Sequence, residues 1–174
     1  RDECQGQVQL SFGMTTKEEV EGIVSSIEEP HQARSRLLVY SCTSGYPVPA
    51  KNVALLEINW LYDNYGERVH GIGFSGHHLG VALDVSAYTL GAKWIERHFT
   101  KDRSMKGTDH SASLEPQGQK KLVRDLNATY EALHLKNAKL KINSKETDLF
   151  SLFEFKSETI NLINIDFKSD FYEE

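Results

Sequence analysis

The sequence predicts an α/β fold of parallel strand–helix units, and two observations carry that prediction. Short runs rich in Val, Ile, Leu and Phe alternate four times with helix-type patterns, at about 30 residues per unit. The chain has 174 residues, enough for about one domain but fewer than the roughly 200–250 of a complete eight-fold barrel. Four such units make half of a TIM (β/α)8 barrel.

The first strand is expected at Val8–Ser11. Thr16 and Glu19, three residues apart, form a capping box for a helix start. Val20, Ile23, Val24 and Ile27 follow at helical spacing and stop before Pro30. The second strand is Leu37–Ser41, apolar enough to be buried on both faces. A loop with Gly45, Pro47 and Pro49 follows it, and Val53, Leu56, Trp60 and Leu61 mark the second helix. The third strand is expected at Val69–Phe74 and the third helix at Val81–Leu90, with Leu83, Ala87 and Leu90 inward. The fourth strand is Lys93–Phe99. A polar loop runs from about Thr100 to Pro116, and the helix beyond it carries Leu122, Val123, Leu126, Tyr130 and Leu133.

Residues 1–134 therefore form the half-barrel. Residues 135–174 form a tail of different character, rich in Lys, Asn, Glu and Phe and without Gly or Pro. Within it, alternation places Ile163, Ile165 and Phe167 on one face of a possible strand. The chain starts at Arg1 and not at Met, so a longer parent is expected.

Composition excludes several classes. A formal charge of -5 leaves no basic face for nucleic acid. No apolar run approaches the ~18 residues of a membrane span, and no signal-peptide pattern opens the chain. Two cysteines, Cys4 and Cys42, make no disulfide framework, so a reduced, cytoplasmic setting is expected. Cys42 follows a buried strand and reads as a small core residue more than a nucleophile.

In parallel α/β folds the chemistry sits at the carboxyl ends of the strands. Ser11 ends the first; Ser44 and Tyr46 follow the second; Ser75, His77 and His78 follow or end the third. Glu96, Arg97 and His98 end the fourth, ahead of Lys106, Asp109 and His110. His77 and His98 stand at the ends of neighbouring strands, so their rings can converge on a divalent metal acting as Lewis acid. The alternative is a hydrogen-bonded, inert pair. Ser11, Ser44 and Ser75 can cradle a phosphate, or serve as ordinary turn residues. Asp109 can hold sugar hydroxyls or move a proton, or form a turn. Gly71 and Gly73 can admit a ligand or mark a bulge. Trp60 and Trp94 read as core.

Taken together, these strand ends resemble the sialic acid synthase family. The matching segments are Ser11-Phe12-Gly13-Met14, Cys42-Thr43-Ser44-Gly45-Tyr46-Pro47, Gly73-Phe74-Ser75-Gly76-His77 and Gly91–Thr100, which includes Glu96-Arg97-His98. The most specific is Lys106-Gly107-Thr108-Asp109-His110-Ser111-Ala112-Ser113-Leu114-Glu115-Pro116. The resemblance covers roughly residues 6–134 and implies strands five to eight of the family's barrel. It implies metal-assisted condensation of phosphoenolpyruvate with an N-acylmannosamine-type sugar or its 6-phosphate, giving a nonulosonic acid. It assigns His77 and His98 to a Mn or Mg ion, Ser11, Ser44 and Ser75 to phosphoenolpyruvate, and Tyr46 and Asp109 to the acceptor sugar.

The sequence also departs from the family. Phe12 stands where a hydroxyl is usual, Ser44 where Asn is frequent, and Gly6 or Gln7 where relatives carry a basic residue. The family's first four strands and its C-terminal antifreeze-like domain are not in these 174 residues, and the tail does not resemble that domain. A half-barrel has two open edges. Self-association into a homo-oligomer, a partner chain supplying the missing half, or closure by a tail strand near Ile163 is expected. The competing expectation is a catalytically incomplete half-barrel serving as a binding or assembly module.

Overall fold

Four parallel strands, hydrogen-bonded to one another in the order of their sequence, carry the molecule. The computed structural model describes residues 6–31 and 33–134. The order is β1 (Val8–Phe12), α1 (Lys17–His31), α2 (Ala33–Arg36), β2 (Leu37–Cys42), α3 (Glu57–Tyr65), β3 (Gly71–Gly76), α4 (Ala82–Thr89), β4 (Trp94–Arg97) and α5 (Pro116–Ala132). Short 3-10 turns lie at Ala50–Asn52 and His110–Ala112. Strand order without a reversal distinguishes the sheet from a doubly wound one. Helices α1, α3 and α4 pack against one face of the sheet, as in a barrel wall. The expected half-barrel of parallel units is therefore the observed fold. The expectations for residues 135–174, including the strand near Ile163, lie outside the described residues.

Local chemistry accounts for the elements. The Thr16 N–H donates to Glu19 Oε2 at 2.7 Å and the Glu19 N–H donates to Thr16 Oγ1 at 3.2 Å, so the capping box starts α1. The run Leu37–Tyr40 is buried throughout, as expected of a central parallel strand. The third strand begins two residues later than its apolar run. The Val69 N–H donates back to Tyr65 O at 3.1 Å and closes the turn after α3. The fourth strand ends at Arg97; beyond it, Phe99 makes only an isolated parallel bridge to Leu114.

The register of the sheet sorts its side chains into two faces. In-register partners point the same way, and neighbours along a strand point oppositely. One face carries Leu10, Val39 and Ile72 in one row and Phe12, Ser41, Phe74 and Ile95 in the next. These apolar residues pack with Val20 and Val24 of α1, Ile58, Leu61 and Tyr65 of α3 and Ala87 of α4. Each large side chain buried there contributes about 1.5–3 kcal/mol. The other face carries Ser11, Tyr40, Gly73 and Trp94 in one row and Cys42, Ser75 and Glu96 in the next.

Three expectations about packing are corrected. Leu56 is 73% exposed because it precedes α3 and does not lie in it. On α5, Val123, Tyr130 and Leu133 are exposed. That helix buries only Leu122 and part of Leu126, against Val81 and Leu114, a stripe narrower than its apolar spacing suggests. Gly71 and Gly73 mark no bulge, since both lie in unbroken register. A Cβ at Gly73 would meet the Tyr40 ring at 2.6 Å and Trp94 O at 2.7 Å, and one at Gly71 would overlap the Trp94 ring. The glycines make room for two aromatic rings on the non-helical face.

Gly73→Ala should therefore lower stability by about 1–3 kcal/mol through overpacking; an unchanged urea midpoint would contradict this. A second prediction concerns acid. Glu21 accepts from Arg68 Nη1 and Nη2, both at 2.9 Å, tying α1 to the turn after α3. The Arg68 guanidinium first, and the Ser25 hydroxyl second, lower its pKa from 4.5 to about 2. A carboxyl with a depressed folded pKa stabilises above its unfolded pKa and ceases to do so as pH falls through the folded one. Wild type should exceed Glu21→Gln in melting temperature at pH 6, and the gap should close between about pH 4.5 and 2. A gap that persists at pH 2 would rule the carboxylate out as its cause.

Candidate active site

The carboxyl ends of β2, β3 and β4 bring His77, His98 and Tyr46 into mutual ring contact. The two imidazole centroids are 5.1 Å apart with the rings edge to face. The Tyr46 ring lies 4.4 Å from His98 and 5.5 Å from His77. The cause is the strand alternation: His77 and His98 continue the face that carries Ser75 and Glu96.

Each member is held. His77 Nδ1 lies 3.0 Å from Thr43 O. A carbonyl can only accept, so Nδ1 is the protonated nitrogen in this contact. The Val48 N–H donates to His77 O at 2.9 Å, and Thr43 Oγ1 donates to Asn52 O at 3.0 Å, which braces the loop after β2. Ser113 Oγ donates to Asp109 O at 2.7 Å. With its proton so used, it accepts from Tyr46 OH at 3.0 Å. Asp109 Oδ2 lies 3.6 Å from His98 Nδ1. Tyr46 thus joins the loop after β2 to the loop after β4.

Below the rings, Ser75 Oγ donates to Glu96 Oε1 at 2.6 Å. Burial, with a smaller contribution from the Glu96 charge, pushes the Cys42 thiol up in pKa, although a Ser75 hydrogen bond opposes the shift. A raised thiol pKa and half-burial fit the expected packing role of Cys42 better than a nucleophile's. Gly13 meets the site from β1. The Ser44 N–H donates to Gly13 O at 3.2 Å, and a Cβ on Gly13 would overlap Ser44 Oγ. A side chain there would displace the Ser44 hydroxyl.

The site residues expected from sequence divide into two groups. His77, His98, Tyr46 and Asp109 stand together, with Ser75 one row below. Ser44 sits beside Gly13, and Ser11 lies on the same face of β1, in register with Tyr40. Phe12 faces the helices, where its ring packs into the core, so this departure from the family pattern does not enter the site. Sequence reasoning gave no role to Ser113 and no partner to Glu96. Their signal was position: Ser113 falls in the long loop after β4, and Glu96 alternates with His98. Among the described residues, no group of three or more His, Cys, Asp or Glu side chains is arranged to hold a metal.

On the helical side of the same strand ends, Arg97, Asp84 and His78 form a buried polar cluster. Arg97, expected among the chemistry-bearing residues, turns its side chain away from them into this cluster.

Among the described residues, no helix is long and apolar enough to cross a membrane. N-acetylneuraminate-9-phosphate synthase of Drosophila melanogaster is 42% identical over 114 residues, which are 66% of this chain and 30% of that protein. N,N'-diacetyllegionaminic acid synthase of Campylobacter jejuni is 36% identical over 124 residues, 71% of this chain and 36% of that protein. The chain spans about a third of the length of these relatives. Of solved structures, the N-acetylneuraminic acid (sialic acid) synthetase of Leptospira borgpetersenii, in complex with citrate, superposes with a TM-score of 0.66 at 29% identity. The superposition covers 84% of this chain and 48% of that one. The model of the NeuB family matches residues 2–138, and the chain belongs to that family.

Proposed function

We propose that these residues supply half of the active-site face of a nonulosonic acid synthase that condenses phosphoenolpyruvate with an N-acylmannosamine-type sugar. The observation that carries this reading is the His77–His98 pair at neighbouring strand ends, packed by Tyr46, in a chain of the NeuB family. His77 and His98 fit a divalent ion, Mn or Mg. An ion about 2.1 Å from one nitrogen of each ring lies about 3.2 Å from each centroid, and centroids 5.1 Å apart allow that arrangement. The Thr43 carbonyl orients His77 with Nε2 free, the usual way a ligand imidazole is held. Two protein ligands leave positions open for substrate or water.

Such an ion supplies Lewis acidity to the aldehyde oxygen of the open-chain sugar. The chain's own side chains do the rest of this half's work. The hydroxyls of Ser44 and Ser11 donate to the phosphate and carboxylate of phosphoenolpyruvate, and Ser75 joins them by turning its proton from Glu96 to the substrate; donors of this kind stabilise developing charge. Tyr46 and Asp109 orient the acceptor, with Asp109 placed to hold a hydroxyl or move its proton. Phosphoenolpyruvate C3 then forms the new bond to the aldehyde carbon. Water adds at C2, and phosphate leaves with cleavage of its C–O bond. Holding both reactants in one pocket lowers the entropic barrier.

The experiment is phosphate release with and without Mn. A chain extended with the family's first four strands should turn over, and His98→Ala should abolish that turnover. The 174-residue polypeptide alone should show little or none. Each missing charged contact costs about 1.5–3 kcal/mol, roughly one to two decades in rate. Full activity of the extended His98→Ala protein would overturn the assigned mechanism. Substrate binding without turnover in the extended protein would favour the binding-module reading.

A further inference from the structure

Arg97 and Asp84 lie on the opposite side of the sheet from the histidines. Their paired side chains are 4% and 0% exposed. Arg97 Nη1 also donates to Gly80 O at 2.8 Å, Nη2 donates to His78 O at 2.7 Å, and Nη1 lies 3.1 Å from His78 Nε2. One guanidinium therefore grips the segment 78–84, which begins at the residue after His77.

The ladder between β3 and β4 has Gly76 and Arg97 as its last pair. His77 and His98 are the first residues beyond it, where strand pairing no longer sets their spacing. At that point the Arg97 fork takes over, tying the His78 carbonyl to the strand that continues into His98. Stability alone does not explain the cluster. Buried ion pairs contribute little net stability relative to apolar side chains of the same size, and this one leaves His78 Nδ1 and Asp84 Oδ1 buried without partners. What a planar fork held by a buried carboxylate does supply is fixed geometry.

We propose that Arg97 and Asp84 are positioning residues for the His77–His98 pair, setting from the helical face the separation of two imidazoles on the other face. This rests on the reading of the two histidines as one site, but not on any ion being bound there.

The test uses the 174-residue chain with 15N-labelled histidines, followed by NMR. Wild type should show a nuclear Overhauser contact between the two rings and His77 as the Nδ1–H tautomer. Arg97→Lys keeps the charge beside Asp84 but loses the fork, while Asp84→Asn keeps the shape and loses the anchoring charge. Each variant should keep a cooperative melt and the amide spectrum of β1 and β2. In each, the inter-ring contact should fall at least twofold and the His77 tautomer preference should weaken. If Arg97→Lys does not fold, Asp84→Asn decides. An unchanged ring contact and tautomer in a folded variant would overturn the proposal. Loss of the fold in both variants would also overturn it, since the pair would then be structural. Added MnCl2 tests the metal reading separately. Unbroadened histidine signals with the wild-type ring contact intact count against the metal and leave the positioning claim standing.

Discussion

On a strand, neighbouring side chains face opposite ways, and in this molecule that alternation separates stability from chemistry at the spacing of one peptide bond. His77 and His78 are adjacent, as are Arg97 and His98. One member of each pair turns to the site and the other to the helices. The like-facing members then meet, His77 with His98 through their rings and Arg97 with His78 through hydrogen bonds. The same rule places Phe12 in the core and Ser11 on the site face. A one-residue slip of β4 would exchange the two sets completely, putting Arg97 in the site and His98 under α4.

Much of this was legible in the sequence because it depends on local chemistry. The parallel units followed from alternating apolar patterns, the start of α1 from Thr16 and Glu19, and the meeting of His77 with His98 from their places at neighbouring strand ends. What stayed hidden depends on partners distant in the chain. Gly71 and Gly73 are glycine because of the rings of Tyr40 and Trp94, and single-sequence reading does not show which ring lies across a strand. The partner of Arg97 is a buried aspartate in α4, where a charge would ordinarily be read as solvent-facing. On α5 the apolar spacing at Val123, Tyr130 and Leu133 promised an inward face, but α4 covers only the stripe through Leu122 and Leu126.

The site is also built unevenly. Its histidine corner is braced from three directions: the Thr43 carbonyl on His77, Tyr46 packed on both rings, and the Tyr46–Ser113–Asp109 chain closing over His98. The serine side is more open, since Ser11 and Ser44 are exposed at the edge nearest β1. That edge strand pairs with β2 alone among the described residues. The hydrogen-bonded histidine corner thus lies toward β3 and β4, and the exposed serines lie toward the β1 edge.

The most direct measurement is anomalous diffraction at the manganese edge, from crystals of the extended protein grown with MnCl2 and phosphoenolpyruvate. The account predicts one strong peak about 2.2 Å from a ring nitrogen of each of His77 and His98, with His77 using Nε2. A peak bonded to neither ring, or two rings turned apart with no peak between them, would contradict it.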